Sequence, residues 1–205
     1  MILNECKYAE KCLEENSVGE NLFKTLPILA RYFSHKMGYS TEKIEDGLLA
    51  FTEKNYKGYY KKRLYINSFI EKISYGAKDT PLREIDGVWI TKKELDVIRS
   101  IGDSSTERLL FSLLCYAKFN IAKNPKSNGW INDTVSEIFT VARISPKSED
   151  RAKMIRDLIE LGYVEKFKKG TKINYRVTIV DRKGKGELFI DDFRELGYEY
   201  LKYCG

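Results

Sequence analysis

At 205 residues the chain is long enough for one large domain or two small ones. With 42% hydrophobic and 32% charged residues it can bury a core, which argues against disorder, and no run approaches the ~20 apolar residues of a membrane span. The formal charge of +6 is uneven: residues 1–90 hold 14 Lys/Arg against 13 Asp/Glu, residues 141–186 hold 13 against 6, and residues 187–205 hold 2 against 5.

The start, "MILNECKYAEKCLEEN", mixes acids and lysines among its apolar residues and is not expected to be a signal peptide. The four cysteines (Cys6, Cys12, Cys115 and Cys204) form no C-x-x-C pair, and His35 is the one histidine. Neither a zinc site nor a disulfide framework is expected. The reading is a soluble cytoplasmic protein with idle thiols, no cofactor and no membrane partner.

Residues 1–80 read as a helical domain. Residues 3–15 form the first helix. "TLPILARYFSHKMG" offers Thr25 as N-cap, Pro27 in the first turn and Gly38 as the stop. "YSTEKIEDGLLAFTEKN" follows, with Ser40 or Thr41 as cap and Ile44, Leu48, Leu49 and Phe51 on the apolar side. "KGYYKKRLYINSFIEKISYG" is the fourth helix, with Leu64, Ile66, Phe69, Ile70 and Ile73 inward. Pro81 and Gly87 then break the periodicity, so residues 81–90 read as a linker or docking strand.

Thr91 with Glu94 fits a capping box and opens a helix ending near Gly102. "STERLLFSLLCYAKFNIAK" is the most apolar helix, central to a second domain over residues 91–185. "GWIN" reads as a short strand, and "DTVSEIFTVARI" as a helix capped by Asp133. A helix capped by Ser148 follows, with Ala152, Ile155, Leu158 and Ile159 as its buried stripe. It stops at Gly162, and "YVEKFKKGTKINYRV" reads as a basic hairpin. Residues 186–205 read as a C-terminal helix, with Phe193, Leu196, Tyr200 and Leu201 grouped. That helix packs back on the second domain or makes a homodimer contact.

Helix, strand, helix, helix, strand, basic tip, strand is the order of a winged helix. The fold class expected is therefore mainly α: an N-terminal helical domain, a winged-helix domain and a C-terminal helix. In such a unit the third helix enters a major groove and the hairpin sets lysines against phosphates. The runs "ERLLFSLLCYAKFN", "NGWINDTVSEIFTVARIS" and "DRAKMIRDLIELGYVEK" resemble winged-helix domains of proteins in phages and prophages of low-GC Gram-positive bacteria. "LARYFSHKMGYSTEKIEDGLLAF" and the tail "FIDDFRELGYEYLKYCG" resemble such proteins too. The resemblance implies nucleic-acid binding in replication initiation or transcription regulation. Some small phage proteins of the same hosts instead inhibit defence nucleases (anti-CRISPR proteins), so the partner expected is duplex DNA or a host nucleoprotein.

The nucleic-acid-binding candidates are Lys147, Arg151, Lys153 and Arg156 on the third helix and Lys166, Lys168, Lys169, Lys172 and Arg176 on the hairpin. Arginine suits bidentate contacts to guanine and lysine suits phosphate. Strand alternation, read along the sequence, puts Lys166, Lys168, Lys172, Asn174 and Arg176 on one face, opposite Phe167, Ile173 and Tyr175. Acids interleaved on the helix (Glu149, Asp150, Asp157, Glu160) leave a protein-facing surface open as the alternative. A secondary basic patch is Lys57, Tyr59, Tyr60, Lys61, Lys62 and Arg63, with tyrosines that stack on bases or anchor the helix start. No P-loop, no GxSxG and no metal-spaced Cys/His set occurs, so no catalytic residue is expected.

Overall fold

A computed structural model describes residues 1–19, 21–131, 134–144, 147–169 and 172–204, without the side chains of Ser148, Lys169 and Lys172. The chain is mainly helical and divides into two compact units, Ile2–Glu84 and Ile85–Gly205.

The first unit is helical: α1 (Glu5–Glu14), α2 (Leu22–His35), α3 (Thr41–Asn55) and α4 (Arg63–Tyr75), the last entered through a 3-10 turn at Tyr60–Lys62. Ala9, Leu26, Leu29, Ile44, Leu48, Ile66 and Ile70 are wholly buried and form its centre. α2 starts earlier than Thr25 because Asn21 caps it, accepting from the Phe23 and Lys24 N–H groups. Thr25 is instead buried, and its hydroxyl donates to the Val18 carbonyl at 2.8 Å. Ser40 caps α3. Leu64 does not face inward; it is 88% exposed. It stands two residues from Ile66, about 200° round the helix, so the register that buries Ile66 and Ile70 turns Leu64 to solvent. The buried Glu5 carboxylate takes Arg31 at 2.8 Å and Arg83 at 2.7 Å, and so ties α1 to the end of the unit.

The second unit opens with β1 (Val88–Thr91) and α5 (Lys92–Arg99), joined by the capping box of Thr91 and Glu94. α6 (Ser104–Lys123) is its spine; Leu109 to Ala117 are all wholly buried. β2 (Trp130–Ile131), α7 (Val135–Val141), α8 (Ser148–Glu160), β3 (Val164–Lys169) and β4 (Lys172–Val177) follow. The last elements are β5 (Gly186–Ile190) and α9 (Leu196–Cys204). β2, β4 and β3 make an antiparallel sheet in that spatial order, and β1 pairs antiparallel with β5. The β5 strand lies in a stretch read from sequence as part of the C-terminal helix.

α7 begins after Thr134; the expected cap Asp133 lies outside the described residues. α8 begins at Ser148 itself, with Lys147 in the N-cap position. Its buried stripe is Ile155 and Leu158 with Met154 and Ile159 half-buried, while Ala152 is exposed. α8 packs against α6 and against β3, and the covered part of its apolar stripe starts at Met154, after Ala152. Gly162, at φ +74°, ends α8 in the left-handed conformation that favours glycine, and the chain turns directly into β3.

α9 lies on α6. Phe193 meets Tyr116 and Phe119 at 5.5 and 5.9 Å between ring centres, and Tyr200 meets Phe111 at 5.3 Å. A Cβ at Gly197 would collide with the Ala142 carbonyl, so the glycine lets α9 approach the end of α7. Leu201 falls outside this contact and is 42% exposed. The β1–α5 corner is held by Glu94, which is fully buried. Its carboxylate accepts from the Thr91 and Asp181 N–H groups and pairs with Lys118 at 2.8 Å.

Candidate nucleic-acid interface

The register of the β3–β4 hairpin decides what each face carries. Val164 pairs with Val177, Lys166 with Tyr175, Lys168 with Ile173, Glu165 with Arg176 and Phe167 with Asn174. Paired residues share a face, so an even-numbered residue of β3 shares its face with an odd-numbered one of β4. The grouping read from sequence is therefore corrected. Lys166 and Lys168 share a face with Ile173, Tyr175 and the buried pair Val164 and Val177. Asn174 and Arg176 lie on the other face, with Glu165 and Phe167. Alternation along each strand was right; the register between the strands sets the relation of the two.

The first face begins buried at the two valines and runs outward into two exposed lysines. The second is aromatic and charge-balanced. Trp130 of β2 stands opposite Arg176, meets Phe167 edge-on at 6.0 Å, and lies 5.9 Å from the Arg176 guanidinium. Arg176 is ion-paired with Glu165 at 2.7 Å. It is committed within the sheet rather than held out to a partner. The side chains of Lys169 and Lys172 lie outside the described set.

On α8 the four candidates separate. Arg151 packs its guanidinium over the Phe139 ring at 4.9 Å, bracing α7 against α8. Lys153 lines an open cleft with Asp103, Asp150 and Asp157, so its charge is met by carboxylates. Asp103 is the N-cap of α6. Its carboxylate accepts from the Thr106 hydroxyl and N–H, which hold its pKa below the usual value, and Lys153 adds to this. Arg156 is exposed, and Lys147 is exposed at the helix start. The outward face of α8 also carries Glu149 and Glu160. The structure thus leaves Lys147, Arg156, Lys166 and Lys168 as the exposed candidates on α8 and the hairpin with described side chains.

Three cations outside the candidate set lie in the loop after β4: Arg182, Lys183 and Lys185, all exposed. Arg182 donates to the Pro125 carbonyl and to Asn128, which fastens this loop to the turn containing Lys126. The signal that could have found them was the charge count over residues 141–186, which already contained them.

In the first unit the secondary patch is reshaped. Tyr59 is buried, with its hydroxyl on Asn67, so it anchors the helix start. Tyr60 is 70% exposed and donates to Glu53 at 2.6 Å, a bond that raises its pKa. Lys57, Lys61, Lys62 and Arg63 are exposed around it.

His35 donates from Nε2 to the Thr80 carbonyl at 3.0 Å. Burial raises the pKa of the Cys12 and Cys115 thiols. Among the described residues, no group of three or more His, Cys, Asp or Glu is placed to hold a metal ion, and no helix is long and apolar enough to cross a membrane. No known protein family, curated protein or solved structure matches the chain.

Proposed function

We propose that residues 104–178 form a winged helix that binds duplex nucleic acid, with α8 as the helix offered to the groove and the β3–β4 hairpin as the wing. The observation that carries this reading is the order α6, β2, α7, α8, β3, β4, closed by a sheet in the order β2–β4–β3. It sets a hairpin with exposed Lys166 and Lys168 immediately beside α8. Phosphate contact through these lysines and Arg156 is sequence-independent; base contact from α8 is limited by the acids on its outward face. The role that fits is a phage-type replication or regulatory protein. Duplex affinity measured on several unrelated sequences tests it. Lys166→Glu with Lys168→Glu should weaken all of them to a similar degree; unchanged affinity would remove the wing from the account.

A second reading is favoured by one feature. Glu149 and Glu160 beside Lys153 and Arg156 make the outward face of α8 charge-balanced, as suits a protein partner. On that reading the chain inhibits a host defence nuclease by binding it or its nucleic-acid complex. Pull-down from host lysate separates the two: a stoichiometric protein that survives nuclease treatment supports the inhibitor, and recovery of DNA alone supports the first reading.

A further inference from the structure

The patch at the start of α4 is not used by the winged-helix reading, and the structure makes it more definite than the sequence did. Tyr60, Leu64 and Tyr65 are 70%, 88% and 65% exposed, and with Lys61, Lys62 and Arg63 they line one shallow cleft of ≈ 540 Å³. Both tyrosines are held in place. Tyr60 is fixed by its bond to Glu53 and by the Tyr59 ring, edge-on at 5.3 Å. Tyr65 is fixed against Phe23, edge-on at 5.5 Å. Each ring is braced by one aromatic neighbour yet stays mostly exposed, and three apolar groups stay in water among cations.

A partner for this patch has to be anionic and has to present apolar faces at short intervals. A duplex is anionic but hides its base faces in the stack, so it would leave the three apolar groups uncovered. A single strand offers a phosphate and a base face at every nucleotide, and stacking on aromatic side chains needs no particular sequence. We infer that the cleft of Tyr60, Leu64 and Tyr65, with Lys61, Lys62 and Arg63, is a binding site for single-stranded nucleic acid, separate from the wing. This goes beyond the duplex reading and does not depend on it.

The test is fluorescence anisotropy of the full chain with an oligothymidylate of about 15 nucleotides, long enough for one such site. The same oligomer paired into a duplex is the second probe. Tyr60→Ala with Tyr65→Ala should lower single-strand affinity about 10-fold or more and leave duplex affinity unchanged. Leu64→Ser and Lys61→Glu with Lys62→Glu touch no core side chain, and each should weaken the same binding. Lys166→Glu with Lys168→Glu should act on the duplex instead, so failure of the wing and failure of this site read differently. Single-strand affinity unchanged by the patch variants would overturn the inference. So would patch-dependent sedimentation with phosphatidylcholine–phosphatidylserine vesicles in the absence of any single-strand binding.

Discussion

Cations that look alike in the sequence do different work. Arg151 and Arg176 are spent inside the second unit, one on Phe139 and the other on Glu165 and Trp130. Arg156, Lys166 and Lys168 reach solvent. Arg151→Ala and Arg176→Ala should therefore lower thermal stability more than they change the salt dependence of duplex binding. Arg156→Ala should do the reverse. Thermal melts and binding isotherms on the same variants check this, and equal effects across all three would sink the distinction. Glu94 sets the largest single-residue expectation. Removing it takes the counter-charge from the Lys118 ammonium, which keeps only the Trp89 and Asp181 carbonyls, and leaves the Thr91 and Asp181 N–H groups without their acceptor in a buried site. Glu94→Ala should cost about 3–5 kcal/mol in urea unfolding.

At the scale of elements, α6 depends on its cap. The Thr106 hydroxyl and N–H hold the Asp103 pKa down. A lowered folded-state pKa adds stability that is fully present above the unfolded value, ~3.9 for aspartate. That stability is lost as pH falls through the unfolded value towards the lower folded one. Asp181 and Asp192 are lowered in the same direction, by the Lys183 and Gly184 N–H groups and by Arg194 respectively. These three carboxylates should therefore lose their contribution to stability on the acid side of about pH 4. Asp103→Ala should cost about 1 kcal/mol at neutral pH and weaken that acid dependence, as followed by circular dichroism. Caps and 3.6-residue periods are local, which is why α3, α5, α6 and the helix–hairpin order could be read directly. The start of α2 was missed because Asn21 competes with Thr25, and only the burial of Thr25 decides between them. The two faces of the hairpin were misassigned because they depend on cross-strand register, which no single strand encodes. β5 was missed because its partner β1 lies at the far end of the unit's sequence. The exposure of Leu64 follows from where α4 begins, and the preceding basic aromatic run gives no clear start signal.

For the whole molecule, charge and architecture point the same way. The excess of seven positive charges over residues 141–186 (13 Lys/Arg less 6 Asp/Glu) falls on the hairpin, the loop after β4 and Arg143 and Lys147 ahead of α8, whereas α8 itself holds 3 Lys/Arg against 4 Asp/Glu. The acidic segment 187–205 contains α9, which is turned in on α6. A surface so divided should bind a polyanion by releasing its counterions, and each phosphate-contacting cation should steepen the dependence on salt. The most direct test is the slope of log affinity against log salt for duplex DNA, for the natural chain and for the triple variant Arg156→Ala, Lys166→Ala, Lys168→Ala. The proposal predicts a slope shallower by about 3 in the variant, one unit for each lost contact. Equal slopes would contradict it, because they would mean that these three cations meet no phosphate.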